Sequence, residues 1–276
     1  MSKDRKSLSQ HFTTQPGLSR LDAVRGGGEE RSKLYLGSTA ASTAAANEEM
    51  RQTRKSWQGI FALYKPKGLS SHDAVEQVRK ITGVQRVGHA GTLDPLAQGV
   101  LVIGIGREYT KQLNSVVQKE KEYIAQVRLG VTSTTDDAEG TKIQTAAPRI
   151  PSRLEVERAL AAFCGNIMQR PPVFSAVKVG GREAYKYARR GEEIALQPRP
   201  VTVKSIEIIR YRWPSLTLKL VTGPGVYIRS IARDLGEALG IGGYLASLER
   251  TRVGDFTKDK ALKLAELEEL VQDKSV

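Results

Sequence analysis

Apolar residues recur along this chain in short blocks, each with a readable period. Residues 59–64 form an apolar run of strand length, closed by the turn signal Lys65-Pro66-Lys67-Gly68. Ser70 and Ser71 can cap a helix over 72–82, where Val75, Val78 and Ile81 share a side. Residues 100–105 read as a strand too apolar to face water. Residues 120–129 alternate, with Tyr123, Ala125, Val127 and Leu129 on one face of a strand. Residues 132–140 are polar and predict a loop around Thr135-Asp136-Asp137. Ser152 and Glu155 spell a capping box for a helix running to Phe163.

Beyond Arg170-Pro171-Pro172 the pattern predicts a strand over 173–179, a Gly180-Gly181 turn and a basic helix over 183–190. Residues 201–211 and 216–221 read as a hairpin around Trp213-Pro214. Gly223-Pro224-Gly225 precedes a helix that runs to Leu239. A last strand over 245–253 and an amphipathic helix over 261–271 complete the pattern. Strands and helices mix without a steady βαβ rhythm and without a fixed repeat. That predicts an α+β fold with a mixed, mostly antiparallel sheet flanked by helices.

Residues 1–56 break the pattern. Large apolar residues are sparse there, and Arg25-Gly26-Gly27-Gly28-Glu29-Glu30 and a Ser/Thr/Ala tract over 38–46 predict a disordered basic extension. The ordered domain is predicted to span 57–276. Lys3, Arg5, Lys6 and Arg20 against Asp4 fit a transit peptide, whereas Glu29, Glu30, Glu48 and Glu49 fit it poorly. A solvated basic arm that helps hold RNA is the other reading of this segment. An intracellular location is expected, its compartment left open.

The formal net charge of +13 points to a polyanionic partner, with RNA, DNA and anionic membrane all compatible. Apolar runs fall well short of the roughly 20 residues of a membrane helix, so no membrane partner is expected. No apolar h-region opens the sequence, which argues against secretion. The single cysteine, Cys164, excludes an internal disulfide and is expected to pack at a helix end. His11, His72 and His89 have no metal-ligand spacing, so neither a metal nor a cofactor is expected.

Candidate chemistry concentrates between Gly88 and Gly106, where five glycines, Pro95, His89 and Asp94 surround the apolar strand. The glycines permit backbone angles other residues avoid, and Pro95 biases Asp94 towards an extended backbone. A carboxylate on a stiff loop beside a buried strand is how a chain presents a nucleophile or base. Taken alone, Asp-Pro among glycines reads rather as a turn in which Asp94 satisfies its own backbone.

Further blocks decide between the two. Gly88-His89-Ala90-Gly91-Thr92-Leu93-Asp94-Pro95-Leu96-Ala97-Gln98-Gly99-Val100-Leu101 resembles the signature of the TruB-type pseudouridine synthases. Four more blocks resemble the family in its own order. They are Lys65-Pro66-Lys67-Gly68-Leu69-Ser70-Ser71, Lys121-Glu122-Tyr123, Arg170-Pro171-Pro172-Val173-Phe174-Ser175-Ala176-Val177-Lys178 and Gly225-Val226-Tyr227-Ile228-Arg229-Ser230. Leu248-Glu249-Arg250-Thr251-Arg252 is similar to its last core block. The resemblance spans residues 58–257. Bacterial members usually continue into an RNA-binding PUA domain, for which the twenty or so residues after Phe256 are expected to be too few.

The resemblance implies a pseudouridine synthase fold and isomerisation of uridine 55 in the tRNA T-loop, without a cofactor. It makes Asp94 the catalytic aspartate, attacking ribose C1′, adding to C6 of the base or abstracting the 2′ proton. It makes Arg229 the partner that holds Asp94 ionised, and Tyr123 the ring stacked on the target base. Tyr227 and Leu248 would line the pocket, and His89 would help open the T-loop around the flipped base. Lys65 and Lys178 are candidate phosphate contacts, with Lys67, Arg86, Arg107, Lys111 and Arg170 beside them. The implied partner is tRNA through its T-arm, bound by a monomer. A synthase for mRNA or other T-loop-like RNA, and a tRNA-folding chaperone with little catalysis, are the alternatives.

Overall fold

The computed structural model describes residues 57–145 and 149–273. Strand β1 (Gly59–Lys65) leads into helix α1 (Ser71–Thr82). The Ser70 hydroxyl accepts from the Asp73 amide, the Asp73 carboxylate accepts from the Ser70 amide, and left-handed Gly83 stops the helix. Strands β2 (Val87–Ala90) and β3 (Ala97–Ile105), helix α2 (Arg107–Val117) and strand β4 (Lys121–Leu129) follow. A small hairpin of β5 (Val131–Ser133) and β6 (Lys142–Gln144) precedes α3 (Arg153–Ala161), with the capping box at Ser152 and Glu155 in place. Next come β7 (Gly165–Gln169), the short β8 (Lys178–Val179) and β9 (Arg182–Glu183), and α4 (Ala184–Ala188). The hairpin of β10 (Arg199–Arg212) and β11 (Ser215–Thr222) leads to α5 (Ile228–Ala238). Strands β12 (Gly243–Val253) and β13 (Phe256–Thr257) and helix α6 (Leu264–Asp273) end the described chain.

The main sheet runs β1-β3-β12-β4-β11-β10-β7, with β2 also on β3 and β13 on β12. Strand β12 lies parallel to β3, pairing Leu248 with Ala97 and Arg250 with Gly99, and the other pairings in this sheet are antiparallel. On one face α1, α3, α5 and α6 bury Val75, Val78, Val156, Ile231, Leu235 and Leu267 against Leu63, Leu101, Ile103, Ala125 and Leu218. On the other, Leu113 and Val116 of α2 cover Val100, Val102 and Val253. Strand β3 is therefore enclosed on both faces, which is why its sequence lacks polar alternation.

The structure departs from the sequence pattern in several places. Helix α2 was not legible, because among its polar residues the two buried ones are Leu113 and Val116. Residues 173–179 are not one strand; β8 is two residues long, and local turns take up the remaining backbone bonds after Pro171 and Pro172. The polar 132–140 segment is half hairpin, since Val131, Thr132 and Ser133 pair with Gln144, Ile143 and Lys142. His89, expected in a loop, lies on β2. Cys164 is exposed, not packed, because α3 ends at Ala161 and the cysteine falls in the turn beyond. The predicted extension, 1–56, lies outside the described residues.

One close approach fixes where β3 begins. Gly99 has φ +107°, and a Cβ there would stand 2.2 Å from the Arg250 carbonyl oxygen. Gly99→Ala is therefore expected to cost about 3 kcal/mol or more, as strain and clash act together. Denaturant unfolding checks this, and an unchanged midpoint would refute the close packing of β3 on β12.

Candidate active site

The segment between β2 and β3 that presents Asp94 is fixed at nearly every residue. Ser71 Oγ donates to the Leu93 carbonyl (3.0 Å) and accepts from the Leu93 amide (2.8 Å). The Gly68 amide donates to the Pro95 carbonyl at 2.7 Å, and the Ala97 amide to the Asp94 carbonyl at 3.0 Å. Arg250 Nε and Nη2 donate to the carbonyls of Val100 (2.7 Å) and Gly91 (2.9 Å). The Asp94 loop is thus held from two separated parts of the chain, the β1–α1 turn with the first residue of α1, and β12.

Lys65 belongs to this frame. Expected at the surface as a phosphate contact, it is instead fully buried, and its Nζ donates to the carbonyls of Pro66, Leu69 and Ala97. The reason is strand parity: Lys65 continues the inward series Phe61, Leu63 on β1. Burial pushes its ammonium down to about 8, with Asp94 pulling it up and Arg250 pressing it down. Below about 8 it is charged in both folded and unfolded chains and bears the cost of burial. Between about 8 and 10.5 the folded chain releases the proton first, so stability rises with pH across that window. The stability of the wild type relative to Lys65→Met is expected to climb over the same window. A pH-independent difference in melting temperature would refute this.

Opposite the loop stands the first turn of α5. The Gln169 side chain, itself buried, donates to the Tyr227 carbonyl (3.0 Å) and accepts from its amide (2.8 Å), anchoring the helix start. Arg229, one residue into α5, points into the recess and is 5% exposed. Its Nε lies 2.9 Å from Asp94 Oδ2, an ion pair by distance whose N–H is not aimed at the oxygen. Its Nη2 donates to the Phe174 carbonyl (3.0 Å) and its Nη1 to that of Thr135 (3.3 Å).

A second carboxylate shares this guanidinium. Asp137 Oδ2 lies 3.5 Å from Arg229 Nη1, and Asp137 Oδ1 accepts from Thr135 Oγ1 and from the Glu139 amide. Asp136, left-handed at φ 61°, pairs at 2.8 Å with Arg233, one helical turn beyond Arg229. The sequence showed Thr135-Asp136-Asp137 only as a polar loop. Two adjacent aspartates facing arginines four apart on a helix were the available signal.

Asp94 keeps 37% of its side-chain surface open, so a ligand can reach it, while Arg229 lies behind it. Burial nonetheless dominates and raises the carboxyl above its ordinary value; Arg229 lowers it, Asp137 raises it and Lys65 lowers it. Arg229 thus orients the carboxylate without outweighing its desolvation.

The remaining candidates divide. Tyr123 is buried on β4 directly across from Arg250, and Leu248 lies across from Ala97, three residues past Asp94. Tyr227 caps α5 with the Arg199 guanidinium 5.0 Å over its ring. His89 is half-buried with Nδ1 enclosed and unbonded among the described residues, and burial, with the Arg250 charge, pushes its imidazole down. Lys178 is exposed on β8, as are Lys67, Arg86, Arg107, Lys111 and Arg170 on their loops and helices. Among the described residues no His/Cys/Asp/Glu cluster could hold a metal ion, and no helix is long and apolar enough to cross a membrane.

Comparison with known proteins places the same segments in one family. The N-terminal domain of the TruB family pseudouridylate synthases matches residues 79–228, which contain Asp94, Tyr123, Asp137 and Tyr227. The chain belongs to the TruB family of pseudouridylate synthases. A tRNA pseudouridylate synthase B C-terminal domain matches residues 229–275, which carry Arg229, Leu248 and Arg250. The tRNA pseudouridine synthase B of Corynebacterium diphtheriae is 44% identical over 76% of this chain and 72% of its own. That of Mycobacterium leprae is 44% identical over 77% and 69%. Among solved structures, a chain of a Cbf5–Nop10–Gar1 complex superposes with TM-score 0.63 and 26% identity over 82% of this chain. A chain of an H/ACA RNP bound to a substrate RNA containing 2′-deoxyuridine gives TM-score 0.60, 23% identity and 84% coverage, a likeness of fold. This chain spans 59% and 58% of those two chains. The TruB family and the α+β pseudouridine synthase fold agree with the sequence motifs.

Proposed function

We propose that this chain isomerises a uridine of the tRNA T-arm, position 55, to pseudouridine, with Asp94 as the reacting carboxylate. The observation that carries the reading is the Asp94–Arg229 pair: an accessible carboxylate 2.9 Å from a buried guanidinium. The tRNA pseudouridine synthases B at 44% identity support the choice of substrate.

The reaction breaks the N1–C1′ glycosidic bond, turns the uracil and forms a C5–C1′ bond. The C5 proton leaves and N1 takes one up, so there is no net redox change. Asp94 acts on sugar or base in its ionised form, and Arg229 fixes the direction of that carboxylate. Tyr123 stacks on the base, and Tyr227 and Leu248 wall the pocket. The base must leave its stack to reach Asp94, and His89, whose protonation burial disfavours, wedges into the space it vacates. The exposed Lys178, Arg182, Lys186, Arg189 and Arg190 on β8–α4 supply positive charge for backbone phosphates. The enzyme acts as a monomer.

Tritium release from a tRNA transcript labelled at uridine C5 tests this. One equivalent per tRNA is expected, falling to none when the T-arm uridine is replaced by cytidine. Release that ignores the replacement would move the target elsewhere, and release from an mRNA stem-loop but not from tRNA would favour the mRNA reading.

A further inference from the structure

Arg250 is an arginine buried to 1% exposure in the middle of a sheet, and two of its hydrogen bonds go to main-chain carbonyls on either side of Asp94, Gly91 just after β2 and Val100 inside β3. Nε donates to Val100 and Nη2 to Gly91, so a single planar group bridges from the start of the loop to the strand that follows it. Gly91 itself is left-handed at φ +75°, and a Cβ there would only touch Arg250 Nη1, at 3.5 Å. Tyr123 lies directly opposite on β4.

The electrostatic setting makes this charge expensive. Lys65 of β1, Lys121 of β4 and His89 of β2 all lie near enough for Arg250 to press their protonation downwards. Burial disfavours the Arg250 charge itself, and the groups that draw on it are Tyr123 and Asp94. Two carbonyls could be bridged by a neutral amide. A full charge kept among other bases, directly across from Tyr123 and bonded to the backbone on both sides of Asp94, points to a task a neutral brace does not perform.

We propose that Arg250 is a positioning residue for the reaction: it ties the start of the Asp94 loop at Gly91 and the strand that follows it at Val100 to β12, beside Tyr123, and its charge acts on the Asp94 carboxylate held between them. The proposal rests on the reading of Asp94 as the reacting carboxylate and Tyr123 as the ring stacked on the base. The charges around Asp94 are then Arg229 of α5, Asp137 of the β5–β6 loop, Lys65 of β1 and Arg250 of β12. Arg250 is the one among them that also fixes the loop backbone on both sides of the carboxylate.

Arg250→Lys keeps the charge and loses the two-ended fork; Arg250→Gln keeps a donor and loses the charge. Single-turnover rates at saturating enzyme, measured across pH, separate the two contributions. Both variants are expected to be at least tenfold slower on the plateau, with tRNA affinity within about threefold of wild type. The acid limb of the profile should shift to higher pH in Arg250→Gln and stay in place in Arg250→Lys. A purely structural brace would slow both and move neither limb, which overturns the proposal, as does a wild-type rate in either variant. If neither variant shows a cooperative melting transition, Arg250 serves the core alone and the proposal fails. An Asp94→Asn enzyme that still turns over would instead sink the underlying reading of the site, whatever Arg250 does.

Discussion

Asp94→Asn is expected to abolish turnover and leave tRNA affinity within a few-fold of wild type. The change is nearly isosteric, so the loop hydrogen bonds at Leu93, Pro95 and Ala97, which use only the backbone, survive it. What disappears is the ionised oxygen that meets Arg229. Stability gives an independent reading. Burial raises the Asp94 carboxyl above its ordinary value, so the folded chain holds that proton to higher pH than the unfolded chain does. Ionised Asp94 therefore works against folding above the ordinary Asp range, and the amide should be as stable as wild type at neutral pH, or more so. The same shift places the acid limb of the wild-type pH–rate profile above that range. A variant with a tenth of wild-type turnover or more would remove Asp94 as the essential group.

Loss of Arg229 should be nearly as damaging to the chemical step. Arg229→Ala takes away the cation that pairs with both Asp94 and Asp137, two carboxylates that then repel across the recess. Asp94 would hold its proton still more tightly, so the single-turnover rate should fall by orders of magnitude and the acid limb should move to higher pH. Arg229→Lys restores charge but not the bonds to the Phe174 and Thr135 carbonyls, so it should remain impaired. A residue that merely touches phosphate would behave differently: its loss weakens RNA binding and flattens the salt slope by about one unit. A wild-type single-turnover rate for Arg229→Ala at saturating enzyme would reduce Arg229 to an RNA contact.

Local physics explains which parts of this architecture the sequence disclosed. Strand β4 alternates cleanly because one face is core, and the Ser70 and Ser152 boxes announce their helices because caps are built from neighbours in sequence. The motif around Asp94 singled out the loop, and the resemblance singled out Arg229. Burial of charge was not legible. Lys65 in Lys65-Pro66-Lys67-Gly68 looked like half of a surface turn, and Asp137 looked like loop polarity. Arg250 stood in the recognised Leu248-Glu249-Arg250-Thr251-Arg252 block without a role. Each is buried by a partner far away in the chain, and nothing within its own window distinguishes it from a solvated charge.

The parallel pairing of β12 with β3 also dictates when the enzyme can first work. Val100 and Arg250 are 150 positions apart, and the loop that presents Asp94 is closed only when they meet. A nascent chain has made Asp94 and Tyr123 long before it reaches Arg229, and Arg229 before Arg250. Every product that stops short of Arg250, whether a stalled ribosome's or a protease's, lacks one side of the frame. On the proposed reading of Asp94, its loop reaches its framed shape only once β12 has been made, so that activity reports the meeting of β3 and β12.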